Sequence, residues 1–250
     1  MFRAGVVGLI SMVALPAFAA TAEPQTEFLA KAQTTEVWSP EPVAVSPGLD
    51  GAPPSDAMVL FDGSGFDAWV GDQGGEPEWR LIDGAMEVVK GAGDIRTKQA
   101  FADIQLHIEW ATPSVVAGES QGRGNSGVFL MGRYEVQVLD SFDNRTYSNG
   151  QAGSIYKQHI PLVNASLPPG QWQSYDIVFR APRFGKKGTI VSPAYISVMH
   201  NGVVIQNHVP IEGSTEFIGR PQYKPHGAAP IKLQDHRNPV RFRNIWVREL

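Results

Sequence analysis

The residues with the clearest chemical potential lie in one short segment, Tyr134–Asp140, where polar side chains alternate with valines. If this segment is a strand, Glu135 and Gln137 share one face, because side chains alternate between the two faces of a sheet. Val136 and Val138 then point into the core. A glutamate beside a glutamine offers the acceptors and donors that suit sugar hydroxyl groups. The segment therefore predicts a ligand-binding groove, with a solvated outer sheet face as the alternative.

A polar, glycine-rich turn precedes this segment at residues 122–127 and contains Arg123 and Asn125. It is more elaborate than a plain connection needs, which favours a role near the groove. No strand-to-helix transition follows, so its glycines do not predict a phosphate-binding loop. Ser126 lacks the Gly-x-Ser-x-Gly setting of a nucleophilic serine. The turn adds polar groups to the predicted groove but no nucleophile.

A second polar row lies late in the chain, where Lys232, Gln234 and His236 alternate with apolar residues. A lone histidine is more often structural than catalytic, but one that ends a polar row indicates a lined groove. His107 and Glu109 form a similar pair within another alternating segment and could equally belong to an exposed face. No His-x-x-x-His spacing and no His-Glu pair on a helix occurs, so we predict no metal site.

The elements that must position these residues are predicted to be strands. Apolar residues recur with period two along residues 104–111 and 134–139, which is typical of strands that bury one face. Asn201-Gly202, between two apolar segments, predicts a tight hairpin. No stretch of ten or more residues has a convincing helical period. The sequence therefore predicts an all-β protein, a single antiparallel β-sandwich domain of about a dozen strands.

The chain is predicted to have three segments. Residues 1–20 resemble a signal peptide, because Arg3 precedes an apolar run that ends in Ala17-x-Ala19. Residues 21–55 are rich in proline and predict an arm or linker. Residues 56–250 form the sandwich. We therefore expect a periplasmic or secreted protein with no membrane association after signal cleavage.

Composition excludes several function classes. The 250 residues contain no cysteine, which rules out disulfides, thiolate metal sites and a catalytic cysteine. The formal net charge is −4, whereas a general nucleic-acid binder has a basic excess. No nucleic-acid partner is expected.

Motifs in a fixed order over about residues 58–250 give a specific family resemblance. The chain resembles the 3-keto-disaccharide hydrolase family, also described as a 3-keto-glucoside lyase/hydratase domain and formerly a domain of unknown function. The motifs that carry the resemblance are Leu60-Phe61-Asp62-Gly63, Asp94-Ile95-Arg96-Thr97, Arg123-Gly124-Asn125-Ser126-Gly127, Tyr134-Glu135-Val136-Gln137-Val138-Leu139-Asp140-Ser141, Gly153-Ser154-Ile155-Tyr156, His200-Asn201-Gly202, Leu233-Gln234-Asp235-His236 and Arg243-Asn244-Ile245-Trp246. The chain departs from the expected pattern at Ala228-Ala229 and Arg237, where glycines are common.

This resemblance implies a concanavalin A-like (lectin/glucanase) jelly roll and a reaction on 3-keto-glycosides. A ketone at C3 acidifies the C2 proton, so a base can remove it, the C1 substituent can leave, and water can add. Either Glu135 or His236 is implied as the base. The implied substrate-binding residues are Arg123, Asn125, Gln137, Asp140, Lys157 and Gln234. No cofactor is implied, and the ketone would come from a sugar 3-oxidoreductase acting in the same pathway.

Two alternatives stay open. A laminarinase-like glycoside hydrolase needs two carboxyl groups flanking the bond, about 5–5.5 Å apart if retaining and about 6.5–9.5 Å apart if inverting. Strand alternation places Glu135 and Asp140 on opposite faces, which disfavours that mechanism. A non-catalytic carbohydrate-binding module on the same sandwich is the other alternative, and an exposed aromatic platform without a clustered base would favour it.

Overall fold

The computed structural model describes residues 23–250, and the predicted signal peptide at residues 1–20 lies outside the described residues. The chain divides into two units, with the boundary between Ala44 and Val45. Within the described range, no helix is long and apolar enough to cross a bilayer.

The first unit contains a helix, α1 (Glu23–Gln33), that the sequence did not predict. Its described side chains are exposed, so it buries no face and needs no apolar period. Residues with high helix propensity, such as alanine, glutamate and lysine, favour it. The Lys31 ammonium lies 2.8 Å from the Glu27 carboxylate, one turn away.

The second unit is an all-β domain. Its described strands, in chain order, are β1 (Met58–Phe61), β2 (Trp69–Gly71), β3 (Arg80–Ile82), β4 (Ala85–Glu87), β5 (Ile95–Phe101), β6 (Ile104–Ala111), β7 (Ser126–Leu130), β8 (Tyr134–Val138), β9 (Gln173–Arg180), β10 (Arg183–Phe184), β11 (Ile190–Ser192), β12 (Tyr195–His200), β13 (Val203–Pro210), β14 (Ala229–Leu233) and β15 (Arg241–Glu249). Short 3-10 turns lie at Ser120–Gly122, Ser148–Gly150 and Lys186–Gly188.

These strands form two main antiparallel sheets. The larger sheet has eight strands in the order β13-β12-β9-β6-β15-β4-β3, with β1 pairing to β15. The smaller has five strands in the order β2-β5-β14-β7-β8. Strands β10 and β11 form a separate ribbon. The described residues thus confirm the predicted all-β class.

One continuous core lies between the two sheets, as a jelly-roll sandwich requires. The Tyr134 ring on β8 and the Phe179 ring on β9 have centroids 5.7 Å apart. The Tyr175 hydroxyl on β9 donates a 2.8 Å hydrogen bond to the Gln137 carbonyl on β8. Because these contacts join the sheets, the opposite faces of both sheets remain available for binding.

The predicted hairpin at Asn201-Gly202 is confirmed. It joins β12 to β13, and both turn residues have positive φ, 51° and 77°. That conformation matches a type I′ turn, for which Asn-Gly is a preferred pair.

Two segments differ from the expectation. Residues 45–55, predicted as part of the arm, belong to the sandwich unit, because the Gly51 carbonyl accepts hydrogen bonds from Asn244 and Trp246 on β15. Strand β14 ends at Leu233, so His236 lies on the following loop rather than in a polar row along the strand.

Candidate functional site

A cavity of about 540 Å³ opens on the outer face of the five-stranded sheet, around Glu135; we call it the Glu135 cavity. Besides Glu135, its polar lining residues are Gln121, Asn125, Gln137, Thr215, Gln234 and His236. Its aromatic lining residues are Phe129, Tyr147, Tyr156 and Phe217. Five of the predicted site residues therefore meet in one place.

The hairpin of β7 and β8 sets the base of this cavity. Phe129 pairs with Glu135 and Gly127 pairs with Gln137 across the two strands. Val136 is fully buried in the core, so the predicted register is confirmed. A Cβ on Gly127 would lie 2.7 Å from Glu135 Oε1, so any side chain there would displace the carboxyl group from its present position.

Glu135 is far more buried than a residue on an outer sheet face usually is. Its exposed fraction is 4%, which excludes the solvated-face alternative. Burial raises the pKa of Glu135 to about 8, although Lys232 nearby lowers it and Asp94 raises it further. No ion pair to this carboxylate exists within residues 23–250, because Lys232 instead contacts Asp94 at 2.7 Å. The cavity thus holds a carboxyl group that retains a proton near neutral pH.

The side chain of Gln137 forms a hydrogen bond with the Glu135 carboxyl group. Its amide satisfies its neighbours best with the nitrogen 3.1 Å from both Glu135 Oε1 and the Ser126 carbonyl oxygen. The Ser126 hydroxyl donates to the Gln234 carbonyl at 2.7 Å. These bonds connect β7, β8 and the end of β14, so they fix the carboxyl group relative to the cavity floor.

Two loops cover the cavity, and the sequence did not predict their role. The Tyr147 and Tyr156 hydroxyl oxygens lie 2.6 Å apart, and burial raises the pKa of Tyr156. The Thr215 hydroxyl accepts a 3.0 Å hydrogen bond from the Glu135 amide. Neither tyrosine belongs to an alternating segment. The contact between Glu135 and Thr215 joins residues far apart in the chain, and such a contact leaves no local signal in a sequence.

Lys157, predicted to contact substrate, instead contacts Phe217 on one of these loops. Its ammonium group donates a 2.6 Å hydrogen bond to the Phe217 carbonyl and lies 4.1 Å from the centroid of the Phe217 ring. It also lies within 6 Å of the Tyr147 and Tyr156 ring centroids, at 5.8 and 5.7 Å. Lys157 therefore holds the aromatic wall together rather than lining the cavity.

His236 lies at the exposed rim of the cavity, on a loop held by Asp235. The Asp235 carboxylate accepts hydrogen bonds from the backbone amides of Gly91, Gly93 and Arg237, at 2.7, 3.1 and 2.8 Å. This anchoring places the imidazole beside the opening, where it can reach a bound ligand.

Asn125 is buried at the cavity wall. Its exposed fraction is 3%, and its side-chain amide donates to the Gln121 carbonyl at 2.7 Å. The Gln121 amide in turn donates to the Gly150 carbonyl at 2.9 Å. The glycine-rich turn therefore lines the Glu135 cavity through Asn125.

Arg123 and Asp140 are not brought into this cavity. The Arg123 guanidinium contacts the buried Asp140 carboxylate at 2.7 Å and also donates to the Phe142 carbonyl at 2.8 Å. Both residues line a separate, smaller space of about 280 Å³. The pair fastens the turn to the segment after β8, so Glu135 is the only carboxylate among the described residues that line the Glu135 cavity.

The residues between 23 and 250 contain no group of three or more histidine and acidic side chains able to hold a metal ion. The Glu135 cavity offers one carboxyl group, the imidazole of His236 at its rim, several neutral hydrogen-bonding groups and an aromatic wall. These are suited to binding an uncharged polyhydroxylated molecule and to transferring a proton within it.

Comparisons with known proteins agree with this fold. Residues 56–248 match the family described as 3-keto-alpha-glucoside-1,2-lyase-like domain. A crystal structure from Parabacteroides distasonis, named "putative glycosyl hydrolase", is 54% identical, with 87% of this chain and 96% of that chain covered and a TM-score of 0.84. A second structure of that name from the same organism is 21% identical, with 78% and 94% covered and a TM-score of 0.56, and supports the fold alone. No curated protein matched.

Proposed function

Since the chain belongs to the 3-keto-alpha-glucoside-1,2-lyase-like family and is thus a carbohydrate-active enzyme, we propose that it cleaves 3-keto-glycosides by removing the proton on C2. The observation that carries the proposal is the buried carboxyl group of Glu135, which has no ion-pair partner among residues 23–250 and lies in a cavity lined mainly by neutral polar and aromatic side chains.

The proposed reaction needs one base and no nucleophile. Glu135 takes the C2 proton, and the electron pair forms an enolate on the C3 oxygen. The enolate then expels the oxygen substituent on C1, which leaves with a proton, and a C1=C2 double bond forms. Water adds across this bond, with its oxygen on C1 and a proton on C2, which gives net hydrolysis.

The raised pKa of Glu135 suits this role. A base with a pKa of about 8 is stronger than an ordinary carboxylate, and near neutral pH an appreciable fraction is ionised. Removal of a proton next to a ketone is difficult, so a stronger base lowers the barrier. His236 at the rim is the competing candidate for the base or for the acid that protonates the leaving group.

Neutral donors around the carboxyl group support binding of the sugar and of the enolate oxygen. Asn125, Gln137 and Gln234 line the cavity, and the paired hydroxyls of Tyr147 and Tyr156 add further donors. Donors fixed in advance stabilise charge that develops in the transition state. The Asn125 side chain is held in place by its 2.7 Å hydrogen bond to the Gln121 backbone carbonyl, which is consistent with that function.

A two-carboxylate glycosidase mechanism is less well supported. Within the described chain, Asp140 forms an ion pair with Arg123, and no second carboxylate lines the cavity beside Glu135. Retaining and inverting glycosidases both need a pair of carboxyl groups at the scissile bond. Elimination through the ketone avoids this requirement.

The proposal extends to the cellular setting. A small-molecule 3-keto sugar would be supplied by a sugar 3-oxidoreductase, and the N-terminal sequence favours export to the periplasm or beyond. N-terminal sequencing of exported protein tests the second point: we expect a start within a few residues of Ala20, and a start at Met1 would contradict it.

The substrate experiment uses a purified 3-keto-disaccharide and its unoxidised parent. We expect cleavage of the ketone only, with solvent deuterium appearing at C2 of the product. Equal rates on both sugars would contradict the mechanism. If both sugars bind and neither reacts, the chain is a carbohydrate-binding module instead.

A further inference from the structure

A second cavity, of about 790 Å³, lies on the outer face of the eight-stranded sheet. We call it the Trp172 cavity. Outward-facing residues of β6, β9 and β15 form its floor, among them Gln105, Ser174 and Arg243. The proposed reaction uses none of these residues. The two cavities are on opposite sides of the sandwich, since each lies on the outer face of a different sheet.

The wall of this cavity is a loop with a defined conformation, residues 45–56. The Ser55 amide donates to the Ser46 carbonyl, and the Ser46 amide donates to the Ser55 hydroxyl, both at 3.0 Å. A Cβ on Gly48 would lie 1.6 Å from the Ala52 carbonyl oxygen, so the loop closes tightly on itself. Hydrogen bonds from Asn244 and Trp246 to the Gly51 carbonyl, at 3.0 and 2.9 Å, hold the loop against the sheet.

Most charged side chains of the cavity lie in pairs, whereas Asp50, which also lines it, has no ion pair among the described residues. Arg243 contacts Glu109 at 2.6 Å, and Arg248 contacts Asp56 at 2.6 Å. His107 Nδ1 lies 2.6 Å from the Asp176 carboxylate. Four carboxylates face two arginines and one histidine, so the lining does not attract an anion, yet it retains hydrogen-bond donors and acceptors at its margins. The floor therefore suits a neutral ligand with many hydroxyl groups.

Trp172 supplies the apolar surface that such a ligand needs. Its indole is half-buried at the cavity, and a sugar ring can reach only the part of it that the arginines of β15 leave uncovered. The Arg243 and Arg241 guanidinium carbons lie 4.1 and 5.3 Å from its ring centroid. Those contacts restrict the ring before any ligand binds, which lowers the entropic cost of binding. The C–H face of a sugar ring packs on an indole, while its hydroxyls reach the surrounding polar groups.

We propose that the Trp172 cavity is a second, non-catalytic binding site for a neutral saccharide. The ligand class follows from the absence of excess positive charge, the polar floor and the fixed indole. The site stands independently of the C2 chemistry, and it would keep an oligosaccharide or polysaccharide close to the enzyme during turnover.

The test uses the full chain with Glu135→Gln, so that the probe is not consumed. Cellobiose, maltose and trehalose are each titrated by calorimetry and by ligand-observed NMR. With at least one of them we expect two sites per molecule. Trp172→Ala should weaken one site about tenfold or more, as expected when an aromatic anchor is removed. Tyr195→Ala, which removes a half-buried ring elsewhere on the same face, is the matched control and should leave both sites unchanged.

A milder variant, Gln105→Ala, guards against loss of folding in Trp172→Ala. It should weaken the same site and keep the thermal midpoint. In an otherwise unsubstituted chain, Trp172→Ala should keep turnover of a soluble 3-keto-disaccharide within about twofold. The second site would be overturned if only one saccharide site were found and neither Trp172→Ala nor Gln105→Ala weakened it. It would also be overturned if neither variant selectively weakened one of two sites. Failure of the 3-keto substrate to react would instead overturn the proposed reaction.

Discussion

The two cavities differ in whether their buried carboxyl group has a charged partner. In the Glu135 cavity a carboxyl group is almost fully buried, has no ion-pair partner within the described chain, and has its pKa raised to about 8. In the Trp172 cavity Glu109 receives hydrogen bonds from Arg243 and Asn244 at 2.6 and 2.8 Å. Burial alone would raise the pKa of Glu109, but these bonds more than offset it and lower the pKa.

This difference indicates a division of roles. An unpaired buried carboxyl group is costly to ionise, and folded proteins retain such groups mainly where proton transfer needs them. A paired carboxylate keeps its charge at all physiological pH values and is suited to fixing neighbouring side chains. The first cavity is therefore suited to chemistry and the second to binding.

The largest expected effect is on catalysis. Glu135→Gln keeps the shape and hydrogen bonding of the side chain but removes its basicity. We expect the turnover rate on a 3-keto-disaccharide to fall about 10²–10⁴-fold with little change in affinity.

Two further variants make that result specific. Glu87→Gln, which neutralises a carboxylate ion-paired to Arg80 away from both cavities, should keep the rate. His236→Asn tests the competing base. If His236→Asn lowers the turnover rate more than Glu135→Gln does, and Glu135→Gln keeps most of the activity, the assignment of Glu135 as the base is wrong.

The next effect concerns a carboxylate that becomes unpaired. Arg123→Met leaves the Asp140 carboxylate, 3% exposed, without its cation. We expect the free energy of unfolding to fall by about 3 kcal/mol or more, measured by urea denaturation. Adding Asp140→Asn removes the stranded charge, so the double variant should recover part of the loss. A double variant less stable than Arg123→Met would contradict this account.

A smaller effect of opposite sign is expected at Glu135. The folded-state pKa of about 8 lies above the ordinary value of 4.5, so the native state binds the proton more tightly than the unfolded chain. Stability therefore falls as pH rises between these two values. Glu135→Gln should match the unsubstituted protein at pH 4 and be roughly 2–4 kcal/mol more stable at pH 9. Thermal unfolding at both pH values measures this, and equal stability at pH 9 would contradict it.

The smallest effect concerns the loop that carries His236. Arg237 has a φ of 66°, which is unfavourable for a residue with a side chain and acceptable for glycine. Arg237→Gly should raise the free energy of unfolding by about 0.5–1 kcal/mol, because relief of backbone strain exceeds the added entropy of the unfolded chain. Arg237→Ala keeps the strain and should give no such gain in the same denaturation assay. Equal stability of the two variants would show that the backbone is unstrained.

Much of the fold was predictable from the sequence. Period-two alternation identified β6 and β8, and Asn201-Gly202 identified the β12–β13 hairpin, because these signals are local. Alternation also predicted the face on which Glu135 and Gln137 lie. Helix α1 was missed because it buries no face and therefore has no apolar period.

The environment of the site was not predictable in the same way. Alternation indicated that Glu135 points away from the core, but not that loops carrying Tyr156 and Thr215 bury it. The pairing of Arg123 with Asp140, and the packing of residues 45–55 on β15, also depend on contacts between distant parts of the chain. Such contacts decide whether a charge is paired, and hence its pKa.

The pH dependence of kcat/KM on a 3-keto-disaccharide tests the central claim most directly. If the Glu135 carboxylate is the base, kcat/KM should rise about tenfold per pH unit and level off near pH 8, the pKa of the free enzyme's base. Glu135→Gln should show a low rate without that rise. A rate independent of pH between about 5 and 8, or the same inflection in Glu135→Gln, would contradict the account.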